Sequence, residues 1–225
     1  MHWTKRLNQK ERAHLVSDIR KEIHRTKQLP NVGYNTARDL DYYKHLNQLD
    51  LVEMIMERSR NLKRPLRFFD SGAGLALTPI QLKQLFRDQI EVTAISLVHP
   101  NLSDKTREKA MKEYKNMHLV QPKSEIIKQW DQVRQGYKLI DKLKVGLLEN
   151  FNIRKKQDII LDWFGPLSKS KHRERVIEKY YNSLNRGGII ITTRSSVDPA
   201  QLEGKFTIKY YPTKKDALHV ILTRI

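Results

Sequence analysis

The chain of 225 residues contains no cysteine. That excludes disulfides, thiolate metal sites and any mechanism with a cysteine nucleophile. It also lacks an apolar run near the roughly 20 residues that cross a bilayer. The first 28 residues carry too many charges for a secretory signal, because no continuous apolar stretch interrupts them. No histidine or acid spacing suggests a metal site. Acids are scarce: 25 Asp+Glu stand against 43 Lys+Arg, a net charge of +18. Such an excess points to a polyanionic partner, since surface cations displace the counterions of a phosphate backbone. With 39% hydrophobic residues the chain can bury an ordinary core. A mean hydropathy of −0.66 and 30% charged residues suit a soluble, cytoplasmic protein with no membrane partner. The length suits one domain with an appendage.

What is present is organised around residues 66–74. An apolar strand from Leu66 to Phe69 runs into Asp70, then Ser71-Gly72-Ala73-Gly74. A helix is expected from Pro79 to Arg87, with Thr78 as N-cap and Pro79 in the first turn. A strand–turn–helix joint of this kind presents backbone N–H groups, and its glycines let a ligand approach the chain. The acid accepts hydrogen bonds from a cationic or hydroxyl-bearing ligand. A nucleotide-type small molecule at the carboxyl edge of a parallel sheet is the implied ligand.

In front of this joint, residues 4–28 read as an amphipathic helix, with Leu15, Ile19 and Ile23 at i, i+4 and i+8. Pro30 and Gly33 break it. Tyr34, Tyr42 and Tyr43 follow, then a helix over Asp50–Arg60. Behind the joint, strands are expected at Glu91–Val98, Leu143–Leu148, Asp158–Trp163, Ile189–Thr193, Lys205–Tyr211 and Ala217–Thr223. Helices are expected at Ser103–Lys115, Ser124–Tyr137 and His172–Leu184, the last stopped by Asn185-Arg186-Gly187-Gly188. Alternating strands and helices make βαβ units and a parallel sheet, and the final strand pair makes a hairpin. Two regions result: a helical N-terminal extension, residues 1–62, and an α/β domain, residues 63–225.

From Pro65 to Ile225 this pattern resembles the class I S-adenosylmethionine-dependent methyltransferases. The resemblance rests on Asp70, Gly72 and Gly74, with Ala76 where a third glycine often sits. It rests also on the Asp158–Trp163 strand, the Gly187-Gly188 turn before an isoleucine-rich strand, and the final hairpin. It implies a Rossmann-like sheet, mostly parallel with an antiparallel C-terminal hairpin strand and helices on both faces. It implies S-adenosylmethionine as cofactor, bound by Asp70, Ser71, Gly72, Ala73, Gly74, Glu149 and Asn150, with the Phe151 backbone assisting. Asp162 and Trp163 would then stand where substrate and methyl group meet.

Two departures from the family pattern stand out. The second strand reads Ile95-Ser96-Leu97-Val98-His99, without the usual ribose-binding acid, so Ser96 is the substitute acceptor. A neutral hydroxyl is the weaker one. The run Asp162-Trp163-Phe164-Gly165-Pro166 differs from the tetrapeptide of enzymes that methylate amino groups of nucleic-acid bases. Asp162 reads either as a base or amine-orienting acceptor, or as an acid capping the next turn. Trp163 and Phe164 either stack on a planar acceptor or pack. Tyr34, Tyr42 and Tyr43 form a lid or pack amphipathically. His99 and His172 sit near the same edge. Lys169, Lys171, Arg173 and Arg175 follow the fourth strand on the ligand edge and are the candidate phosphate contacts. Arg154, Lys155 and Lys156 precede that strand, at the opposite edge. The expected activity is methylation of RNA or of a ribonucleoprotein. A methyltransferase-like nucleic-acid-binding protein without turnover, and a methyltransferase for a small molecule, remain as alternatives.

Overall fold

A computed structural model describes residues 38–41, 43–44, 48–96, 99–100, 103, 123–163, 165–170, 172–212 and 217–225. The helices expected over 4–28 and 103–115 lie outside these residues, apart from Ser103, as do Tyr34, Tyr42, Phe164 and Lys171.

Seven strands form one sheet: β1 Leu66–Asp70, β2 Ile90–Ser96, β3 Lys142–Val145, β4 Gln157–Asp162, β5 Leu184–Thr193, β6 Phe206–Pro212 and β7 Ala217–Arg224. Their spatial order is β3-β2-β1-β4-β5-β7-β6. Neighbours from β3 to β5 pair in parallel. β7 runs antiparallel to both β5 and β6. The fold is therefore the Rossmann-like sheet with one reversed strand in the terminal hairpin.

Helix α1, Leu51–Ser59, starts where the Asp50 carboxylate accepts the N–H groups of Val52 and Glu53, both at 3.1 Å. Such a cap satisfies donors that the first turn leaves without partners. Leu51 and Ile55, one turn apart, are its buried residues. They join the core on one face of the sheet, with α2, Leu77–Phe86, and α3, Lys123–Gly136. The opposite face is covered by α4, Pro166–Lys169, and α5, Arg173–Ser183, through Leu167, Val176, Ile177 and Tyr180. β4 and the run Ile189–Thr193 of β5 are buried throughout. Burying each isoleucine there contributes about 2 kcal/mol. Right-handed crossovers explain why α2 and α5 lie on opposite faces, since one leads from β1 to β2 and the other from β4 to β5 in opposite directions across the sheet.

Three expectations need correction. Thr78 does not cap α2: the N-cap is Ala76, in the left-handed region at φ 61°, and it makes no side-chain cap. The Thr78 hydroxyl instead donates to the Arg38 carbonyl at 2.5 Å. β3 ends at Val145, because Gly146 turns the chain at φ 138° and Leu148–Asn150 form a 3-10 turn. Finally, α5 stops at Ser183 without a glycine cap. Leu184 already pairs with Gln157, and Gly187 and Gly188 lie inside β5. The register jumps from Gln157↔Leu184 to Ile159↔Ile189, so β5 holds the extra residues, with Gly187 at φ 72°.

One helix contact also depends on glycine. A Cβ on Gly136 would lie 2.4 Å from Ile80 Cγ2, so α3 approaches α2 closely only because that side chain is missing.

Candidate functional site

β1 is the branch point of the sheet. From it the chain crosses to β2 on one side, while β4 flanks it on the other. Crossovers leave these strands over opposite faces, and the carboxyl ends at such a branch point are the usual ligand position in open α/β sheets. Asp70 ends β1 and Asp162 ends β4, with Asp70 registered against Leu161. Both carboxylates are buried.

The turn after Asp70 is tied to both neighbouring strands. Ser71 N–H donates to the Leu161 carbonyl of β4, and Ala73 N–H to the Ile95 carbonyl of β2, both at 3.0 Å. Gly72 N–H donates to Asp70 Oδ1 at 3.1 Å. Three N–H groups of the glycine turn are therefore engaged within the protein. Ser96, at the tip of β2, donates its hydroxyl to the Gly74 carbonyl. The position expected to meet a ribose thus fastens the turn to the sheet.

Asp162 faces inward. Its Oδ2 accepts Tyr180 Oη at 2.5 Å and Leu167 N–H at 3.1 Å, and lies 3.2 Å from Ser71 Oγ. Its Oδ1 is buried with no hydrogen-bond partner among the described residues. By accepting Leu167 N–H, Asp162 caps the turn that opens α4. Trp163 is also buried, its ring edge-on to Tyr43 at 5.5 Å and tilted against His219 at 6.3 Å. In this arrangement neither residue reaches solvent.

The residue that ties the two loops together is Arg38. Its Nη1 donates to the Trp163 carbonyl at 2.8 Å and its Nη2 to the Gly72 carbonyl at 2.5 Å. The segment carrying it is fixed to α2 by Thr78 and by Leu40 N–H, which donates to Gln81 Oε1 at 2.8 Å. Beneath Arg38 the loops meet backbone to backbone. A Cβ on Gly72 would lie 2.8 Å from Gly165 Cα, and one on Gly165 would lie 3.0 Å from the Asp162 carboxylate.

Burial dominates the acidity of the pair. It pushes the Asp70 carboxyl up to about 7, against the pull of Arg38 and the Gly72 N–H, with Asp162 adding repulsion. Burial likewise pushes Asp162 up to about 6, opposed by Tyr180, Leu167 and Ser71. The Tyr180 hydroxyl is raised well above its ordinary value by burial and by the adjacent Asp162.

The remaining candidates lie further out. Glu149 and Asn150 are exposed in the 3-10 turn after β3. Glu149 Oε1 accepts Ser170 Oγ at 2.7 Å, and Lys179 Nζ takes the carbonyls of Leu148, Glu149 and Phe151 at 2.8–3.0 Å. These bonds draw the turn toward α4 and α5. Lys169 ends α4, and Arg173 and Arg175 are exposed in the first turn of α5. His99 is edge-on to Tyr137 at 5.3 Å, and His172 immediately precedes α5. A groove of about 670 Å³ runs beside α5, lined in part by Asn152, Glu174, Glu178 and Lys205. It includes none of the Asp70–Gly74 turn.

Sequence reasoning missed Arg38 and Tyr180. Arg38 has no periodic or motif signal, and Tyr180 reads as one more apolar position of α5.

No protein-family model matches the chain, and no curated protein matches it. Solved structures do. An rRNA methylase from Streptococcus thermophilus is 14% identical, with a TM-score of 0.43 over 76% of this chain and 93% of its own. A SAM-dependent methyltransferase from Aquifex aeolicus is 13% identical, at 0.45 over 83% and 94%. A putative O-methyltransferase from Klebsiella pneumoniae is 12% identical, at 0.48 over 92% and 89%.

Proposed function

We propose that this chain is an S-adenosylmethionine-dependent methyltransferase whose acceptor is RNA, free or within a ribonucleoprotein. One observation carries the reading: a buried carboxylate, Asp70, and a guanidinium, Arg38, stand together at the branch-point crevice. An acid beside an arginine complements an amino-acid zwitterion, the acid facing its ammonium and the arginine its carboxylate. The methionine portion of the cofactor is such a zwitterion.

When bound, S-adenosylmethionine supplies a methyl group already activated on a sulfonium. The chain's task is then alignment rather than covalent catalysis. Asp70 and the Ser71–Gly74 backbone hold the methionine and ribose portions, with Ser96 in place of an acid. Glu149 and Asn150 serve the adenine edge. Asp162 and Trp163 serve the acceptor end, and Lys169, Lys171, Arg173 and Arg175 hold phosphates of the RNA. Admission of the ligand requires Arg38 to release at least one carbonyl and the Gly72 and Gly165 backbones to part.

A second reading is a nucleic-acid-binding protein on the same fold without turnover. It is favoured by Ser96, already committed to Gly74, and by Arg38, which bridges the crevice.

Calorimetric titration of S-adenosylmethionine separates the two. The enzymatic reading expects saturable heat, weakened about 10-fold to 100-fold by Asp70→Asn or Arg38→Gln, the loss of one charge-assisted hydrogen bond. No heat at about millimolar cofactor sinks it and leaves the non-catalytic reading.

A further inference from the structure

We propose that the amino edge of the sheet, opposite the ligand crevice, is a second docking surface for a nucleic-acid phosphate backbone. Glu91, the second residue of β2, is the centre of the surface. Its carboxylate is approached by Lys155 Nζ at 2.8 Å, Lys142 Nζ at 3.3 Å and Arg67 Nε at 3.5 Å. One acid answers three cations, which leaves two charges uncompensated at that point.

The neighbouring groups do not redress the balance. Arg64 is matched by Asp158 through Nη1 and Nη2, at 2.7 and 2.8 Å. The Lys156 ammonium donates to a neutral carbonyl, that of Asn182. Arg154, next to Lys155 in the chain, is exposed. Lys83 is matched by Asp141, whose carboxylate also accepts the Val92 N–H beside Glu91. Seven cations therefore face three carboxylates, an excess of four. Lys142 and Lys155 keep about half of their side-chain surface in water, 49% and 48%, so the excess is accessible.

The shape follows from the strand starts. Arg67 is registered directly against Glu91, β3 begins at Lys142, and Lys155 and Lys156 lead into β4. Lys142, Lys155 and Arg67 thus converge on Glu91 of β2, while Arg64 and Lys156 carry charge toward β4 and the end of α5. Cations spread over several strand starts suit a repeating polyanion better than a single small anion. The inference uses no residue of the crevice and stands apart from the cofactor assignment.

The test uses the full chain and a fluorescein-labelled RNA duplex of about 20 base pairs, followed by anisotropy from roughly 50 to 200 mM salt. Two variants are compared with wild type: K142Q/K155Q/K156Q, and Arg154→Gln, which leaves the Glu91 cluster whole. The triple variant is expected to bind at least about 10-fold more weakly at low salt, with its salt slope reduced by about 2 to 3. Arg154→Gln is expected to reduce the slope by about 1. Cofactor heat is expected to be unchanged in both. Unaltered affinity and slope in both variants overturn the inference, as does a wild-type protein that binds no RNA. So does a loss confined to phosphatidylserine vesicles or polyglutamate, which would assign the surface to a membrane or an acidic protein. A companion variant, K169Q/R173Q, reports on the crevice edge. RNA lost there while the amino-edge variants bind normally overturns this inference and spares the enzymatic reading.

Discussion

Replacing Gly72 by alanine tests whether the crevice is closed backbone against backbone. The added Cβ would lie 2.8 Å from Gly165 Cα, 3.2 Å from Gly165 N and 3.5 Å from the Trp163 carbonyl. Ordinary carbon–carbon contact begins at about 3.5 Å, so the two loops must separate by about 0.7 Å. No rotamer change relieves the clash, because every atom met is backbone. Separation is resisted by Arg38, which grips the Gly72 and Trp163 carbonyls, and by Ser71 N–H on Leu161. Overpacking of this kind costs about 1–3 kcal/mol. Urea denaturation should therefore show a lower midpoint with an unchanged slope. In an Arg38→Gln background the grip is gone, so the alanine should cost about 1 kcal/mol less, a coupling that a double-mutant cycle reads directly. A Gly72→Ala protein with the wild-type midpoint would refute the closed arrangement and its account of Arg38.

Gly136→Ala should destabilise by about 1–3 kcal/mol despite alanine's better helix propensity, and Ile80→Ala should relieve much of that cost, as paired urea titrations would show. Asp158→Ala should cost about 2 kcal/mol, below the full value for a buried pair because Arg64 keeps 34% of its side chain in water; no change in midpoint would contradict the bidentate contact. The raised acids set a pH trend: Asp70 and Asp162 hold protons in the folded state that the unfolded chain releases near 3.8. Their contribution is full below that value and is lost as pH rises through about 6 for Asp162 and about 7 for Asp70. Asp70→Asn should remove its share of the fall between those limits, and an unaltered pH profile would count against burial of that carboxyl. Tyr180→Phe should cost about 1–3 kcal/mol and steepen the pH dependence near 6, because Asp162 loses its shortest donor; an unaffected profile would remove Tyr180 from the cluster.

Much of the sheet was legible because each strand carries its own signal. Ile189-Ile190-Ile191 is apolar without alternation, as a strand covered on both faces must be, and it is buried as expected. The Asp70 turn was legible because an acid and two glycines follow an apolar strand with alternating strands and helices behind it, the glycine pattern by itself being common in loops. The errors fell at element ends. Thr78 looked like a cap, but the N-cap position went to Ala76, and a tertiary contact with Arg38 took the hydroxyl. Gly187-Gly188 looked like a helix stop, but pairing of Leu184 with β4 started the strand at once. Asp162 was visible as a strand-tip acid, while its inward turn was not, because Ser71 and Tyr180 lie 91 and 18 residues away.

The order of residues was enough to set the alternation of strands and helices, the reversed final strand, the glycine turn and the excess of positive charge. These depend on local pattern and composition, which a linear chain displays. Only the folded molecule decided that Arg38 reaches Gly72 across 34 residues and Trp163 across 125, that Gly72 rests on Gly165, and that three cations converge on Glu91. Such contacts arise when distant strands are brought to one edge of a sheet, and their distances are set by packing rather than by neighbours in the chain.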